Sequence, residues 1–167
     1  MQKIAIIGPE STGKTTLARQ LGDYFAEPWV REYAREYLEG LNRPYEEHDL
    51  LSIAHGQLRQ EARAVKAAES YLFCDTNLLV IKIWAQDKFH RVDPEILSLW
   101  EPEDYYLHLL LYPDLDWEPD PLREDPNRLL TLFEKYEHEL ERAGVSYAVI
   151  KGQGEERFQQ ALWALEV

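Results

Sequence analysis

Residues 8–15 read Gly-Pro-Glu-Ser-Thr-Gly-Lys-Thr, and no other stretch of the chain constrains its fold as strongly. They fit G-x-x-x-x-G-K-[ST], the phosphate-binding loop (P-loop) that joins a buried strand to a helix. The apolar run at residues 3–7 has the composition of a buried parallel strand, and Leu17, Leu21 and Phe25 then recur at helical spacing. Because strand, loop and helix come in the required order, a glycine-rich turn that only resembles the motif is the weaker interpretation.

The residue types within this loop predict a site for ATP and Mg²⁺. Backbone N–H groups and the positive end of the helix dipole would bind phosphate oxygens. Lys14 would reach the β- and γ-phosphates, and the hydroxyl of Thr15 would be a ligand of Mg²⁺. The other loop residues that we assign to the nucleotide are Gly8, Glu10, Ser11, Thr12, Gly13 and Thr16.

Composition excludes several other classes of protein. The 167 residues include 31 Asp and Glu but 18 Lys and Arg, and a net charge of −13 argues against a general nucleic-acid partner. The single cysteine, Cys74, allows no intramolecular disulfide and no cysteine-based metal cluster. No apolar run approaches the roughly 18 residues of a membrane span, and no signal-peptide pattern is visible. We therefore expect a cytoplasmic protein without nucleic-acid or membrane partners, in an oligomeric state that the sequence leaves open.

The order of elements predicts the α/β class. Apolar runs that predict strands alternate with helical patterns, the longest of which covers residues 46–69. By analogy with P-loop kinases, we expect a three-layer fold with a five-stranded parallel sheet in the order 2-3-1-4-5. Residues 1–167 would form one kinase domain, and residues 113–128 a short lid. The predicted strands are residues 3–7, 27–32, 71–75, 106–111 and 145–150.

Two carboxylates are predicted at the edge of the sheet where ligands bind, the carboxyl ends of the strands. The predicted second and third strands end in Glu32 and Asp75. In the expected order the third strand neighbours the first, so Asp75 would lie beside Thr15. There it would hold Mg²⁺ through water or accept a substrate hydroxyl proton. Glu32 is better placed for the substrate. The alternatives are a helix cap for Asp75 and a solvated first-turn carboxylate for Glu32.

Cations that neutralise a transferring phosphate are expected in the predicted lid, which is rich in Pro, Asp and Arg. We assign Arg123 to catalysis and Arg128 to the nucleotide, with an ordinary surface charge as the alternative for each. Gly152 follows the predicted fifth strand and is assigned to the adenine side of the nucleotide. A turn of this kind often contains glycine for other reasons, so the assignment of Gly152 rests on position.

Aromatic side chains indicate where a flat substrate ring would stack. The candidates are Tyr33, Tyr37, Trp84 and Trp117. For Trp84 the alternative is core packing, because its helix has an apolar face. His48 and His55 lie on or near the longest predicted helix without a third ligand at an evident spacing, so we interpret them as ordinary side chains.

Four segments, in this order, carry a resemblance to a known family. They are residues 8–18 around the P-loop, residues 31–38 with Arg-Glu-Tyr-Ala-Arg-Glu-Tyr-Leu, residues 74–77 with Cys-Asp-Thr-Asn, and the Pro-Asp-x-x-Trp segment at 113–123. Together they resemble the ribosylnicotinamide kinase domain of the NadR family of NAD-salvage proteins. The P-loop alone is generic, whereas the other segments are considerably more specific. Fuller members carry further N-terminal domains, and the position of Gly8 leads us to expect a stand-alone domain here.

The resemblance implies ATP-dependent phosphorylation of the 5′-hydroxyl of nicotinamide riboside, which gives nicotinamide mononucleotide. It implies that Lys14 and Thr15 handle ATP and Mg²⁺, that Asp75 serves the metal or the hydroxyl, and that Arg123 acts from the lid. Residues 33–37 would face the nucleoside. We add Asn77 to the substrate residues; family members more often carry Asp at this position.

Two alternatives to this function remain at the level of sequence. One is a kinase that phosphorylates another nucleoside or a nucleotide. The other is a domain that binds ATP and signals to a partner without transferring phosphate. The strand-end carboxylates and the arginine-bearing lid favour a kinase over a sensor.

Overall fold

The computed structural model describes residues 1–114 and 128–166 and contains one parallel sheet. Its strands follow the order β2-β3-β1-β4-β5, and each hydrogen-bonded pair is parallel, which confirms the predicted fold class. Most of the predicted lid, residues 115–127, lies outside the described residues. The strands are β1 (Gln2–Ile7), β2 (Trp29–Val30), β3 (Tyr71–Asp75), β4 (Leu107–Leu111) and β5 (Tyr147–Ile150).

Helices connect the strands, and several begin or end at residues suited to that position. Asn77 and Asp93 cap the helices that follow them with their side chains, and Gly144 ends a helix in the left-handed conformation. Two short 3₁₀ turns, Val65–Ala67 and Pro102–Asp104, complete the described elements. The helices are α1 (Lys14–Phe25), α2 (Tyr33–Glu39), α3 (Glu47–Ala64), α4 (Leu78–Phe89), α5 (Pro94–Leu99), α6 (Leu129–Ala143) and α7 (Glu155–Ala164).

The sheet lies between two helical layers, which explains why residues 4–7 of β1 are all apolar. Successive side chains of a strand point to opposite faces. Ile4 and Ile6 pack in one core cluster with residues of α1 and α7, while Ala5 and Ile7 pack in a second with residues of α4 and α6. A third cluster joins α2, α3, α4 and α5 beside the sheet. Because both faces of β1 are buried from Ile4 to Ile7, these four residues form a continuous hydrophobic run.

Some predicted boundaries were wrong by a few residues. The second strand covers only Trp29–Val30, because Pro28 has no N–H to donate and Glu32 already precedes the first residue of α2. The fourth strand begins at Leu107 rather than at Tyr106, which is 54% exposed. The fifth strand begins at Tyr147 rather than residue 145. Among the helices of residues 1–114 and 128–166, none combines the length and the hydropathy of a membrane span.

Candidate active site

The P-loop connects the central strand β1 to α1 in a closely packed conformation. Gly8 has φ of 141°, and a Cβ atom there would lie 2.8 Å from the backbone oxygen of Leu111, so only glycine fits between β1 and β4. The hydroxyl of Thr12, which is fully buried, donates to the backbone oxygen of Pro9 at 2.7 Å. The loop is therefore held in shape by its own side chains and by the neighbouring strand.

Lys14 bends back over the P-loop. Its Nζ donates to the backbone oxygens of Gly8, at 3.0 Å, and Pro9, at 2.8 Å. Thr15 and Thr16 are exposed in the first turn of α1, where a phosphate would meet the positive end of the helix dipole. Glu10 and Ser11 are half-buried in the loop, and Ser11 has a positive φ of 61°. The nucleotide residues predicted within residues 8–16 thus share one loop and one helix terminus.

Asp75 lies beside Thr15, as the predicted strand order requires. In the parallel register of β1 and β3, Asp75 stands opposite Ile6 at the carboxyl end of the sheet. Its Oδ2 accepts a hydrogen bond of 2.5 Å from the hydroxyl of Thr15. The residue is 1% exposed, and within the described part of the chain its Oδ1 has no hydrogen-bond partner. Since Asn77 caps α4, Asp75 is not needed as that helix cap.

A second carboxylate changes the electrostatics of Asp75. Burial and the nearby charge of Glu32 raise the pKa of Asp75 to about 6, against the lowering influence of the Thr15 hydroxyl and Lys14. Glu32 is half-buried and immediately precedes α2. The Thr15 hydroxyl, the buried Asp75 carboxylate and the nearby Glu32 carboxylate form an oxygen-rich set, which is the ligand chemistry that Mg²⁺ prefers. The residues at this point fit the metal that the P-loop predicts.

The predicted acceptor residues Tyr33 and Tyr37 lie on α2, with ring centroids 6.1 Å apart. The ring of Tyr33 lies against the backbone of Gly56 in α3, so closely that a Cβ atom on Gly56 would be 1.8 Å from Cε1 of the ring. The backbone N–H of Tyr33 donates to Oε1 of Gln57 at 3.1 Å. Buried Gln57 also donates through Nε2 to the backbone oxygen of Thr76, at 3.4 Å. Gln57 therefore links α2 to the turn that follows Asp75.

Asn77 and Trp84, both assigned to the substrate, differ in how their polar atoms are used. Asn77 is fully buried, and its Oδ1 accepts from the backbone N–H of Leu79 at 3.0 Å. Its Nδ2 has no hydrogen-bond partner among the described residues. Trp84 is half-buried in the cluster of α2 to α5, and its Nε1 donates to the hydroxyl of Tyr45 at 3.0 Å. These contacts fit the alternative interpretation, packing, and the substrate role of Trp84 stays a prediction.

Of the four residues assigned to the lid and the adenine side, the structure describes two. Trp117 and Arg123 lie outside the described residues. Arg128 immediately precedes α6, and its Nη2 is 2.6 Å from Oδ1 of Asp87 on α4, which makes it an ion-pair partner in this structure. The backbone N–H of Gly152 donates to Oδ2 of Asp114 at 2.7 Å. The roles assigned to these four residues stay predictions.

A buried carboxylate, Asp49, supports the acceptor side. It is fully buried and accepts hydrogen bonds from both terminal nitrogens of Arg43, the hydroxyl of Tyr37 and the backbone N–H of Glu46. The Arg43 guanidinium holds the pKa of Asp49 well below its ordinary range, with the N–H of Glu46 and the Tyr37 hydroxyl adding to the effect and burial opposing it. Asp49, on α3, thus connects α2 to residues 43–46, the segment before α3.

Asp49→Asn is expected to lower Tm by on the order of 5 °C at pH 7, because it removes a charge that receives several hydrogen bonds in a buried position. A carboxyl whose folded pKa is lowered stabilises the protein above its ordinary pKa of 3.8, and this stabilisation is lost as the pH falls below that value. The difference in Tm between wild type and variant should therefore narrow below about pH 4. Asp23→Asn, at an exposed carboxylate on α1, is the control; a pH-independent difference would contradict the assignment.

Sequence reasoning missed four polar residues that support the site: Gln57, Asp49, Asp114 and Arg157. Gln57, Asp49 and Arg157 lie on helices and belong to no recognisable sequence motif. Asp114 had a signal, because it belongs to the Pro-Asp-x-x-Trp segment. His48 and His55, interpreted as ordinary, lie beside Arg43 and Glu95 respectively. The described residues hold no cluster of three or more His, Cys, Asp or Glu side chains suited to a metal ion.

A parallel sheet in this order, with a P-loop after its first strand and a buried carboxylate at the end of the adjacent strand, defines a P-loop nucleotide-binding domain. More narrowly, the chain belongs to the AAA_28 family, described as an AAA domain, whose family model matches residues 3–157.

A curated relative matches part of the chain, and solved structures share its fold. The trifunctional NAD biosynthesis/regulator protein NadR of Salmonella typhimurium is 28% identical over 129 residues, and the match covers 74% of this chain. The chain spans only 31% of that relative's length. A NadR protein in complex with NR shares the fold with a TM-score of 0.80 and 24% identity, over 99% of this chain and 50% of that one. A deoxyadenosine kinase from M. mycoides with bound dATP shares the fold with a TM-score of 0.68 and 14% identity, over 99% of this chain and 100% of that one.

Proposed function

We propose that this chain is an ATP-dependent kinase that phosphorylates the 5′-hydroxyl of nicotinamide riboside to give nicotinamide mononucleotide. The observation that carries the proposal is the buried Asp75 hydrogen-bonded to Thr15 at the end of the P-loop, because a carboxylate at this point can hold Mg²⁺ at the phosphates or accept the proton of an acceptor hydroxyl. The similarity to NadR, which extends to a NadR protein in complex with NR, supports the choice of acceptor. Residues 1–167 form one kinase domain in this proposal.

The nucleotide half of the site prepares the donor. Lys14 exchanges the backbone oxygens of Gly8 and Pro9 for the β- and γ-phosphates of ATP, while the loop N–H groups bind the remaining phosphate oxygens. Thr15 and Asp75 would hold Mg²⁺, which neutralises charge on the phosphates when it is bound. Arg123 and Arg128 supply further positive charge from the segment before α6. Gly152 borders the adenine side.

The acceptor half positions the nucleoside. Tyr33, Tyr37, Trp84 and Trp117 supply aromatic surface for the nicotinamide and ribose, and Asn77 and Glu32 supply polar contacts. Asp75 acts on the 5′-hydroxyl as a base through Oδ1, which has no side-chain partner among the described residues, or would help to hold the metal; both roles require the carboxylate. Alignment of the hydroxyl with the γ-phosphate provides most of the acceleration, since phosphoryl transfer depends mainly on positioning and charge neutralisation.

The test is a coupled ADP-release assay with Mg-ATP and nicotinamide riboside, with the product identified by mass. Formation of nicotinamide mononucleotide at ordinary enzymatic rates is the expected result. A panel of other nucleosides and nucleotides runs in parallel. Turnover only with other acceptors would contradict nicotinamide riboside as the substrate but would still support a kinase. Tight ATP binding without turnover of any acceptor would favour the sensor.

Gly56→Ala is expected to lower kcat/KM for the acceptor roughly 10- to 100-fold with nucleotide affinity unchanged. The added Cβ would overlap the ring of Tyr33, which must then leave its place against α3. Displacing this packed ring should cost about 1–3 kcal/mol of stability, partly offset by about 1 kcal/mol because alanine is the better helix former, so activity is compared well below the Tm of each variant.

Gly40→Ala is the matched control for Gly56→Ala. A Cβ at Gly40 would meet only backbone oxygens at 3.5 and 3.6 Å, which is ordinary contact. Steady-state kinetics with varied acceptor, together with Tm values for both variants, measure the effect. If Gly56→Ala leaves the acceptor KM and kcat as in the control, Tyr33 does not contact the nucleoside.

A further inference from the structure

Arg157 is a buried arginine that joins three segments at the ligand-binding edge of the sheet. It lies in the first turn of α7 and is 4% exposed. Nε donates to the backbone oxygen of Gly152 at 3.1 Å, and Nη1 to that of Thr12 at 2.9 Å. Nη2 donates to the backbone oxygen of Tyr112 at 3.1 Å and to a carboxylate oxygen of Asp114. The P-loop, the loop after β4 and the turn after β5 therefore meet on one side chain.

Asp114 completes the network from the opposite side. Its Oδ1 accepts from Arg157, and its Oδ2 accepts from the backbone N–H of Gly152 at 2.7 Å. Gln153 adds a hydrogen bond from its Nε2 to the backbone oxygen of Asp114, at 3.1 Å. Gly152 is thus held at both its N–H and its carbonyl. The charge of the buried guanidinium is balanced by a carboxylate, as a buried charge requires.

The contact with Thr12 bears directly on phosphate binding. A trans peptide is planar, with its C=O and N–H pointing in opposite directions. When Arg157 holds the carbonyl of Thr12, the N–H of Gly13 must point away from α7. In a P-loop that N–H belongs to the set that converges on the phosphates. A charged donor on the carbonyl also polarises the peptide, which strengthens its N–H as a hydrogen-bond donor.

We propose that Arg157 and Asp114 are positioning residues for the ATP side of the site. They orient the Thr12–Gly13 peptide toward the phosphates and fix Gly152 beside the adenine. The inference deepens the proposed kinase function, yet it depends only on nucleotide binding. Arg157 reaches the nucleotide through the backbone that it holds, not by contact.

The acceptor side has separate supports, and this makes the inference specific. Gln57 and Asp49 hold α2 and the turn after Asp75, and none of their hydrogen bonds involves Arg157 or Asp114. Loss of the Arg157 network should therefore weaken ATP binding and leave the acceptor side in place. A residue that only stabilised the fold would affect both sides together.

The experiment measures the Kd of Mg-ADP by calorimetry for Arg157→Met, Arg157→Lys and Asp114→Asn, at a temperature well below each Tm. We expect Arg157→Met to raise Kd at least tenfold. Arg157→Lys should give a smaller increase, because one ammonium group does not span Thr12, Gly152 and Asp114 at once. Steady-state kinetics should show a raised KM for ATP and an acceptor KM within about twofold of wild type.

Two matched controls separate positioning from stability. Leu162→Ala removes a buried side chain from α7 outside the network and should lower Tm with the Kd of Mg-ADP unchanged. Arg142→Met removes an arginine that is 68% exposed and should change neither quantity. A Kd within twofold of wild type in Arg157→Lys and Asp114→Asn overturns the inference, even if Arg157→Met does not fold. A Kd rise in Leu162→Ala equal to that in Arg157→Lys overturns it as well. Because ADP binding needs no acceptor, the result stands whether or not nicotinamide riboside is the substrate.

Discussion

Asp75→Asn is expected to lower kcat by about 10³-fold and to leave the Kd of Mg-ADP within a few-fold of wild type. An Asn side chain keeps the size of Asp75 and still accepts the hydrogen bond from Thr15, so the P-loop geometry is retained. It has neither the charge that holds a metal nor a site for the proton of the acceptor hydroxyl. The loss therefore falls on the chemical step, and kcat with kcat/KM should decline together.

The same substitution should stabilise the metal-free protein. Burial and the charge of Glu32 raise the pKa of Asp75 from 3.8 to about 6, so the folded state binds this proton more tightly than the unfolded state. Between these two pKa values, the contribution of Asp75 to stability falls as the pH rises. In EDTA, Asp75→Asn should show a higher Tm than wild type above about pH 6, and the difference should shrink below about pH 4.

Calorimetry with Mg-ADP, turnover assays and Tm measurements test Asp75 together. Asp23→Asn, at an exposed carboxylate of α1, controls for the change of one charge. Turnover unchanged from wild type would remove Asp75 from the mechanism. If Asp75→Asn has a lower Tm than wild type at neutral pH, the ionised carboxylate stabilises the folded protein, contrary to the prediction.

The parts of the site that sequence reasoning predicted share one property: each depends on local pattern or on strand order. The P-loop is a contiguous motif, and an apolar run identifies β1 as a buried strand. Once the order 2-3-1-4-5 was assumed, the juxtaposition of Asp75 and Thr15 followed from parallel register, because the ends of neighbouring strands coincide. The structure confirms that juxtaposition. The predicted range of β2 was less accurate, since a two-residue edge strand shows almost no periodic pattern in the sequence.

The parts that were missed depend on contacts between residues far apart in the sequence. Arg157 and Thr12 are separated by 145 positions, and an arginine in an amphipathic helix reads as an ordinary solvent-facing residue. In the sequence, Gln57 is likewise only one polar residue of the longest helix; its role depends on its contact with α2, which the sequence pattern does not show. The close fit of Tyr33 on Gly56 was equally hidden, because a helical glycine predicts only weaker helix formation.

Lys14→Met is expected to weaken nucleotide binding about 10- to 100-fold and also to lower kcat at least about 10²-fold. The ammonium group is one of the charged donors that the loop offers to the phosphates, and it acts on both the bound nucleotide and the transferring group. In the ligand-free protein the cost should be small. The two backbone oxygens that lose Nζ, those of Gly8 and Pro9, belong to a loop that is also held by Thr12 and by β4.

The combination of effects distinguishes Lys14 from Asp75. Lys14→Met should raise the Kd of Mg-ADP and lower kcat, with Tm close to wild type. Asp75→Asn should lower kcat with the Kd of Mg-ADP within a few-fold of wild type, and should raise Tm in EDTA above about pH 6. Lys66→Met, at an exposed lysine of the 3₁₀ turn after α3, controls for the loss of one positive charge from an acidic protein. If Lys14→Met binds Mg-ADP as tightly as that control, then Lys14 does not leave the carbonyls of Gly8 and Pro9 when nucleotide binds. Charge neutralisation would then fall to the metal and to Arg128. In that case Arg128→Met, which also removes the ion pair with Asp87, becomes the variant with the larger expected loss of turnover.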